Sequence, residues 1–112
     1  RTLADTMIGV KDEKQQAVFP IGGVRVLAYP AAHSAVADSQ RDYAFVYLNL
    51  RMARGRSTVV HQRTGEILLA CAKAHFEALF GRRHIGITLQ VDEGQEVFDA
   101  KHSNLHPLFN KA

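Results

Sequence analysis

Cysteine, proline and tryptophan are scarce in this chain of 112 residues, which contains one Cys, three Pro and no Trp. A single cysteine, Cys71, cannot form an internal disulfide, so we expect a reducing compartment and place the protein in the cytoplasm. Runs of like charge never exceed two residues, although the net charge is +3 and the pI is near 9.3. A polybasic nucleic-acid arm is therefore not expected. Apolar runs are too short to cross a bilayer and no signal peptide is visible, so no membrane partner is expected either.

The rest of the composition is that of an ordinary globular domain. Hydrophobic residues make up 46% of the chain and charged residues 22%, which argues against disorder and indicates one domain over residues 1–112. Residues 2–10 have the pattern of a helix, but no capping residue precedes Thr2. We therefore predict that an upstream segment is missing from this sequence and that the domain is incomplete at its N-terminus.

The stretch Asp42–Ser57 is the most informative part of the sequence. Over residues 43–52 the two sides of the chain alternate with a period of two, which predicts a strand with one buried face. The inward positions are Ala44, Val46, Leu48, Leu50 and Met52. This strand runs into Arg54-Gly55-Arg56-Ser57, where Ser57 or Thr58 is a good cap for a following helix. Arginines at the start of a helix favour an anionic ligand, because backbone N–H groups there are also free.

A long helix is predicted over residues 57–80, and a second half-buried strand over residues 85–91. The apolar stripe of the helix consists of Val60, Thr64, Ile67, Leu68, Cys71, Ala72, His75 and Leu79. Gly81 is placed to end the helix. A helix between two strands forms a crossover that joins parallel strands and covers one face of the sheet. The predicted fold class is therefore α/β, with helices packed on one face of a sheet.

An earlier strand and a tail complete the predicted organisation. Val24–Tyr29 is strand-like and follows a Gly22-Gly23 pair, which we expect to permit close backbone packing or a bulge. The other face of the sheet would expose Phe45, Tyr47 and Leu27, and an apolar patch of that kind usually marks an interface. The tail, Val97–Ala112, is expected to pack on a neighbour. We predict a homo-oligomer.

Two arginines are the candidate binding residues. Arg25 lies on the predicted strand behind the glycine pair, and Arg56 lies at the strand-to-helix corner. A guanidinium presents paired donors that match a carboxylate. The alternative for Arg25 is a solvent-facing or interface residue. Arg51 and Arg54 could also be ordinary surface residues, and we take Arg54 to be one.

The six histidines do not form a metal-binding motif. His102 and His106 are four residues apart, but Pro107 argues against a continuous helix there, and no further ligand is spaced to join them. We interpret His75 as a satisfied helix residue and Cys71 as a small core residue. No dinucleotide or P-loop motif is present, and no general base is apparent. We predict neither a metal nor a cofactor.

Four short motifs occur in a fixed order: Phe19-Pro20-Ile21-Gly22-Gly23-Val24-Arg25, Asp42-Tyr43-Ala44-Phe45-Val46, Gly55-Arg56-Ser57 and Asn104-Leu105-His106. Together they closely resemble the 5-carboxymethyl-2-hydroxymuconate Δ-isomerase family of the tautomerase superfamily, over about Val18 to Phe109. The resemblance implies a pair of β-α-β units in each subunit and a homotrimer. It also matches Arg25 and Arg56 to the substrate-binding arginines of the family. The first strand of the family has no counterpart in this sequence.

The resemblance also implies an isomerase. Its reaction is a 1,3-proton shift that converts an acidic dienol such as 5-carboxymethyl-2-hydroxymuconate to its conjugated keto form, in the homoprotocatechuate branch of aromatic degradation. The implied base is the amine of an N-terminal proline, whose pKa falls in an apolar, cationic pocket. Pro20 and Pro30 are internal amides and cannot act as this base. The catalytic residue is therefore unknown within this sequence, and the implied partner is a small dicarboxylate or tricarboxylate.

Two alternatives stay open. The first is a catalytically silent oligomeric module of the same fold, which would keep the anion pocket without the base. The second is nucleic-acid binding through the mild basic excess, which would appear as strongly salt-dependent affinity. The sequence does not identify the true substrate among acidic enols.

Overall fold

The computed structural model describes residues 1–109 of the chain, and the last three residues of the predicted tail, 110–112, lie outside the described part. Its helices and strands are α1 (Thr2–Ile8), β1 (Tyr43–Met52), α2 (Thr58–His75), α3 (Glu77–Phe80) and β2 (His84–Glu93). Two short 3₁₀ turns complete the list: the glycine turn (Ile21–Gly23) and the C-terminal turn (His106–Leu108).

The centre of the fold is the β1-α2-β2 unit, in which the two strands are parallel and adjacent. Their register pairs Tyr43 with His84 and continues to Met52 with Glu93. This confirms the predicted crossover, since two adjacent parallel strands need a connection long enough to return to the end of the sheet where the first strand began. The predicted cap is also confirmed: the Ser57 side chain accepts a hydrogen bond of 3.2 Å from the backbone N–H of Val60.

The core lies between one face of the strands and the two longer helices. Leu50 and Met52 of β1 are 8% and 4% exposed, and Leu68 of α2 is 3% exposed. The buried core cluster consists of Met7, Val10, Val18, Leu50, Met52, Val60 and Leu68. Burial of one such side chain contributes about 1.5–3 kcal/mol. Because α1 and α2 both pack on this face, the predicted one-sided arrangement of helices is confirmed.

The long predicted helix is divided in the structure. Phe76, with φ −98° and ψ 8°, separates α2 from the single turn of α3, and its ring lies edge-on to His75 at 4.8 Å. The inclusion of His75 in the buried stripe was wrong, because its side chain is exposed beyond the part of α2 that packs on the core. Gly81 ends α3 with a right-handed conformation, φ −79°, so the turn does not require its glycine freedom.

The strand predicted at Val24–Tyr29 is not formed. Val24 is extended, with φ −77° and ψ 124°, but Leu27 and Tyr29 are 66% and 84% exposed. An extended segment becomes a strand only when a neighbour accepts and donates its backbone hydrogen bonds. Among the described residues the sheet contains only β1 and β2, so this segment has no neighbouring strand to pair with. Of the two predicted β-α-β units, the second is complete in residues 1–109 and the first is represented by its helix.

The tail reaches the glycine turn through its C-terminal turn. Val97 and Phe98 are 104% and 83% exposed, so this part of the tail buries nothing within the chain. The C-terminal turn, in contrast, packs against the glycine turn. Within residues 1–109, none of the helices has the length and apolar character needed to span a bilayer.

Candidate functional site

The strand-to-helix corner after β1 holds Arg56 in place. Gly55 has φ +103°, a left-handed value that favours glycine, and it turns the chain towards the capped start of α2. The Arg56 side chain then reaches back, and its Nη2 donates a hydrogen bond of 2.6 Å to the carbonyl oxygen of Val18. This bond fixes the guanidinium while leaving its other N–H donors available to a ligand.

Arg25 and Arg56, the two arginines selected from the sequence, line the same groove, whose volume is about 840 Å³. Its lining comes from the unpaired segment that contains Arg25, from the second half of β1 and from the corner that follows β1. Small-molecule sites in proteins have volumes of about 300–1,000 Å³. The groove is therefore large enough for a small organic molecule.

Every charged side chain that lines this groove is basic: Arg25, Arg51, Arg56 and Lys101. Two of these cations are already paired, because Arg51 Nη2 lies 2.6 Å from Glu96 Oε1 and Lys101 Nζ lies 2.7 Å from Asp99 Oδ2. No ion pair within residues 1–109 involves Arg25 or Arg56. The two sequence-selected arginines are thus the ones left for an external anion.

The carboxylates beside the groove are held in their charged forms. A hydrogen bond from its own backbone N–H, together with the Arg51 guanidinium, holds the pKa of Glu96 below its ordinary value. The hydrogen bond from Lys101 similarly lowers the pKa of Asp99. Glu96 lies just before the tail, so its pair with Arg51 holds the start of the tail beside β1, whereas the pair of Asp99 with Lys101 is local to the tail.

The interpretation of Arg54 as an ordinary surface residue needs refinement. Its Nη2 donates a hydrogen bond of 2.6 Å to the backbone carbonyl of Glu96. Arg51 and Arg54 therefore hold the same residue, one through the side chain and one through the backbone. Neither contact was predictable from spacing, because Glu96 lies more than forty residues further along the chain.

The remaining lining is mostly apolar, with a few polar groups. The apolar part comes from α1, β1 and the segment before the glycine turn, and it includes Leu3, Met7, Val18, Phe19, Leu48 and Leu50. Tyr47, Asn49 and Ser103 contribute uncharged polar groups. An apolar surface with cations at its rim suits a short carbon chain that ends in carboxylates.

His102 and His106 also line the groove, a placement that the sequence analysis missed. The tail is not a continuous helix here, as predicted: the C-terminal turn covers only His106–Leu108. The signal for this contact in the sequence was the Gly22-Gly23 pair, because the close backbone packing expected there implied that another segment would lie against it. That expectation is confirmed, because a Cβ placed on Gly22 would lie only 2.9 Å from the Cα of His106.

The other nucleophilic and metal-ligating residues lie outside the groove. Cys71 is half-buried rather than fully buried, and its Sγ accepts a hydrogen bond of 3.4 Å from the Thr6 hydroxyl. His61 Nε2 lies 3.2 Å from Glu93 Oε2, within ion-pair distance but without hydrogen-bond geometry. In the described part of the chain, no three His, Cys, Asp or Glu side chains are grouped to hold a metal ion.

The β1-α2-β2 unit and the cationic groove beside it define the class: an α/β protein of the tautomerase fold. The structure is similar to a crystal structure of 5-carboxymethyl-2-hydroxymuconate delta-isomerase, with a TM-score of 0.93 at 50% sequence identity. That match covers 100% of this chain and 80% of the other. A crystal structure of a 5-carboxymethyl-2-hydroxymuconate isomerase from Deinococcus radiodurans R1 is also similar, with a TM-score of 0.78 at 36% identity, covering 83% of this chain and 70% of that one.

Sequence comparison leads to the same relatives. The family model for 5-carboxymethyl-2-hydroxymuconate isomerase matches residues 1–109. The chain is also 34% identical over 92 residues to the 5-carboxymethyl-2-hydroxymuconate Delta-isomerase of Escherichia coli, covering 82% of this chain and 73% of that protein. The chain belongs to the 5-carboxymethyl-2-hydroxymuconate isomerase family.

Proposed function

We propose that this protein is an isomerase that converts an acidic dienol, such as 5-carboxymethyl-2-hydroxymuconate, to its conjugated keto form. The reaction is a 1,3-proton shift and requires no cofactor. The observation that carries the proposal is the shared groove: in a chain of this family, Arg25 and Arg56 line one cavity and have no ion-pair partner within residues 1–109.

The two arginines have separate parts in this reaction. Arg56 is held at the corner by its bond to Val18, so it offers its remaining donors from a fixed position to a substrate carboxylate or to the oxygen on which charge develops. Arg25 is exposed in the same groove and binds a second carboxylate. Fixed donors stabilise a dienolate more than the neutral dienol, which lowers the barrier to proton transfer.

The reaction also needs a base that moves the proton. We assign this part to the N-terminal proline amine that the resemblance implies. The resemblance places this proline at the start of a first strand. Such a strand would also complete the first β-α-β unit of the predicted pair.

The assignment is tested by following ketonisation of a 2-hydroxymuconate-type dienol by ultraviolet absorbance, using the full-length natural protein. Arg56→Ala should lower kcat/KM by about 100-fold, the usual effect of removing one preorganised donor. Arg63→Ala is the matched control, because Arg63 is an exposed arginine of α2 outside the groove. No acceleration by the wild type, or equal activity in the two variants, would refute the assignment.

The silent binding module is the competing outcome of the same experiment. A protein that binds the acid in the groove without accelerating ketonisation would support it. Intact mass and N-terminal sequencing of the natural protein separate the two explanations further, since the enzyme requires a mature N-terminal proline.

We also propose a homotrimer that acts in the cytoplasm, within the homoprotocatechuate branch of aromatic degradation. Phe45 and Tyr47 are 53% and 54% exposed on the outer face of the sheet, which supports a subunit interface there. The radius of gyration of the single chain, 16.7 Å, exceeds the value of about 13 Å expected for a compact domain of this size. This lower compactness also supports assembly with other copies of the chain. Light scattering after gel filtration tests the oligomeric state, and Phe45→Glu should shift the assembly towards monomer.

A further inference from the structure

The C-terminal turn is held against the wall of the groove that carries Arg25. A Cβ on Gly22 would lie 2.9 Å from His106 Cα and 3.0 Å from its Nδ1, so both backbone and ring rest directly on the glycine. A Cβ on Gly23 would lie 3.7 Å from His106 Cε1. Arg25 follows this pair by only two residues, and both Arg25 and His106 line the groove.

The imidazole of His106 is half-buried and lines the groove, yet its polar atoms are not used within the described chain. No hydrogen bond or ion pair among residues 1–109 involves either ring nitrogen. His102 also lines the groove, but it is exposed on a stretch without regular structure and rests on no comparable surface. His106 is therefore the histidine whose position is fixed while its donor remains free.

We infer that His106 contacts the substrate and determines specificity, by donating a hydrogen bond to the carboxylate that Arg25 binds. This inference rests on the proposed function and deepens it. A neutral imidazole supplies one N–H donor, which matches a carboxylate oxygen that the nearby guanidinium leaves free. The substrate class that fits is a short unsaturated chain with two carboxylates, one bound by Arg25 with His106 and the other by Arg56.

The test compares His106→Ala, His106→Gln and the control His75→Gln. His75 is exposed at the end of α2 and does not line the groove. His106→Ala should raise KM about tenfold with little change in kcat, the effect expected for one lost hydrogen bond to a charged group. His106→Gln keeps an N–H donor and should recover part of the loss. His75→Gln should behave as the wild type.

Substrate specificity and ligand affinity distinguish a substrate-binding role of His106 from a purely structural one. The loss in His106→Ala should be larger for the dicarboxylate than for its monocarboxylate ester. Binding of cis,cis-muconate, measured by calorimetry, requires no turnover. Wild type that binds muconate without isomerising the dienol refutes the proposed function, while weaker binding in His106→Ala still supports the inference. Equal muconate affinity in His106→Ala and His75→Gln, or a loss that follows the melting temperature alone, would overturn it.

Discussion

The glycine turn offers a sharp test of how the tail is attached, through the pair of variants Gly22→Ala and Gly23→Ala. Neither glycine has a left-handed φ, so backbone strain does not distinguish them. The added methyl group at position 22 would meet His106 Cα at 2.9 Å, Nδ1 at 3.0 Å and Cγ at 3.2 Å. At position 23 its nearest neighbours are Pro20 Cγ at 3.6 Å and His106 Cε1 at 3.7 Å, which are ordinary contacts.

The two variants should therefore differ in stability, with Gly22→Ala the less stable of the two. Alanine in place of glycine restricts the unfolded chain, which stabilises a compatible site by about 0.4–1 kcal/mol. Gly23→Ala should show this gain or no change. Gly22→Ala must displace the backbone of the C-terminal turn, because Cα cannot move away as a flexible side chain would. Overpacking of this kind costs about 1–3 kcal/mol, and we expect a net loss in that range.

Urea denaturation of the two variants measures the difference directly, and proteolysis of the folded protein reports on the tail. If the close approach is correct, Gly22→Ala should also expose the tail to cleavage at lower protease concentration, because its turn no longer rests on the glycine. Equal stabilities of the two variants, with equal protection of the tail, would contradict the described packing of His106 on Gly22.

Three further predictions concern the core, the helix cap and the tail. Leu68→Ala should lower the free energy of unfolding, measured by urea denaturation, by about 2–5 kcal/mol. Leu69→Ala, at a neighbouring position that is 36% exposed rather than 3%, should lower it much less, and similar losses would contradict the core assignment. Ser57→Ala should cost about 0.5–2 kcal/mol and Ser57→Asp should retain most of the stability, because aspartate also accepts from the Val60 N–H; an equal loss in both would argue against capping. The pKa of Glu96 is lowered from its ordinary 4.5, first by its backbone N–H and then by Arg51, so its contribution to stability is present above that value and is lost as the pH falls through the folded-state pKa. The stability difference between wild type and Glu96→Gln should therefore be present at neutral pH and vanish in acid, and a difference that persists below both pKa values would count against the ion pair.

Local sequence patterns were sufficient to predict the elements whose formation depends on residues close together in the chain. The period of two over residues 43–52 predicted β1 with its bounds and its buried face. Ser57 predicted the start of α2, because a cap is a property of adjacent residues. The motifs around Arg25 and Arg56 predicted the family and the two arginines of the groove, since each motif is short and contiguous.

Elements that depend on a distant partner were predicted less well. Val24–Tyr29 has a strand-like pattern, but strand formation also requires a neighbouring backbone, which residues 1–109 do not provide for it. The prediction that His75 belongs to the apolar stripe was wrong for a similar reason. The helical periodicity continues beyond the part of α2 that packs on the core. The roles of Arg51 and Arg54 depend on Glu96, which no local pattern connects with β1.

The sequence by itself determined the α/β class, the β1-α2-β2 unit, the family and the pair of arginines, because each follows from short-range periodicity, capping or motif order. Only the tertiary structure decided that Arg25 and Arg56 line one groove and that Arg51 pairs with Glu96. It also brought His106 against Gly22, more than eighty residues earlier in the chain. These are contacts between segments far apart in sequence, and their geometry is set by the packing of the whole domain.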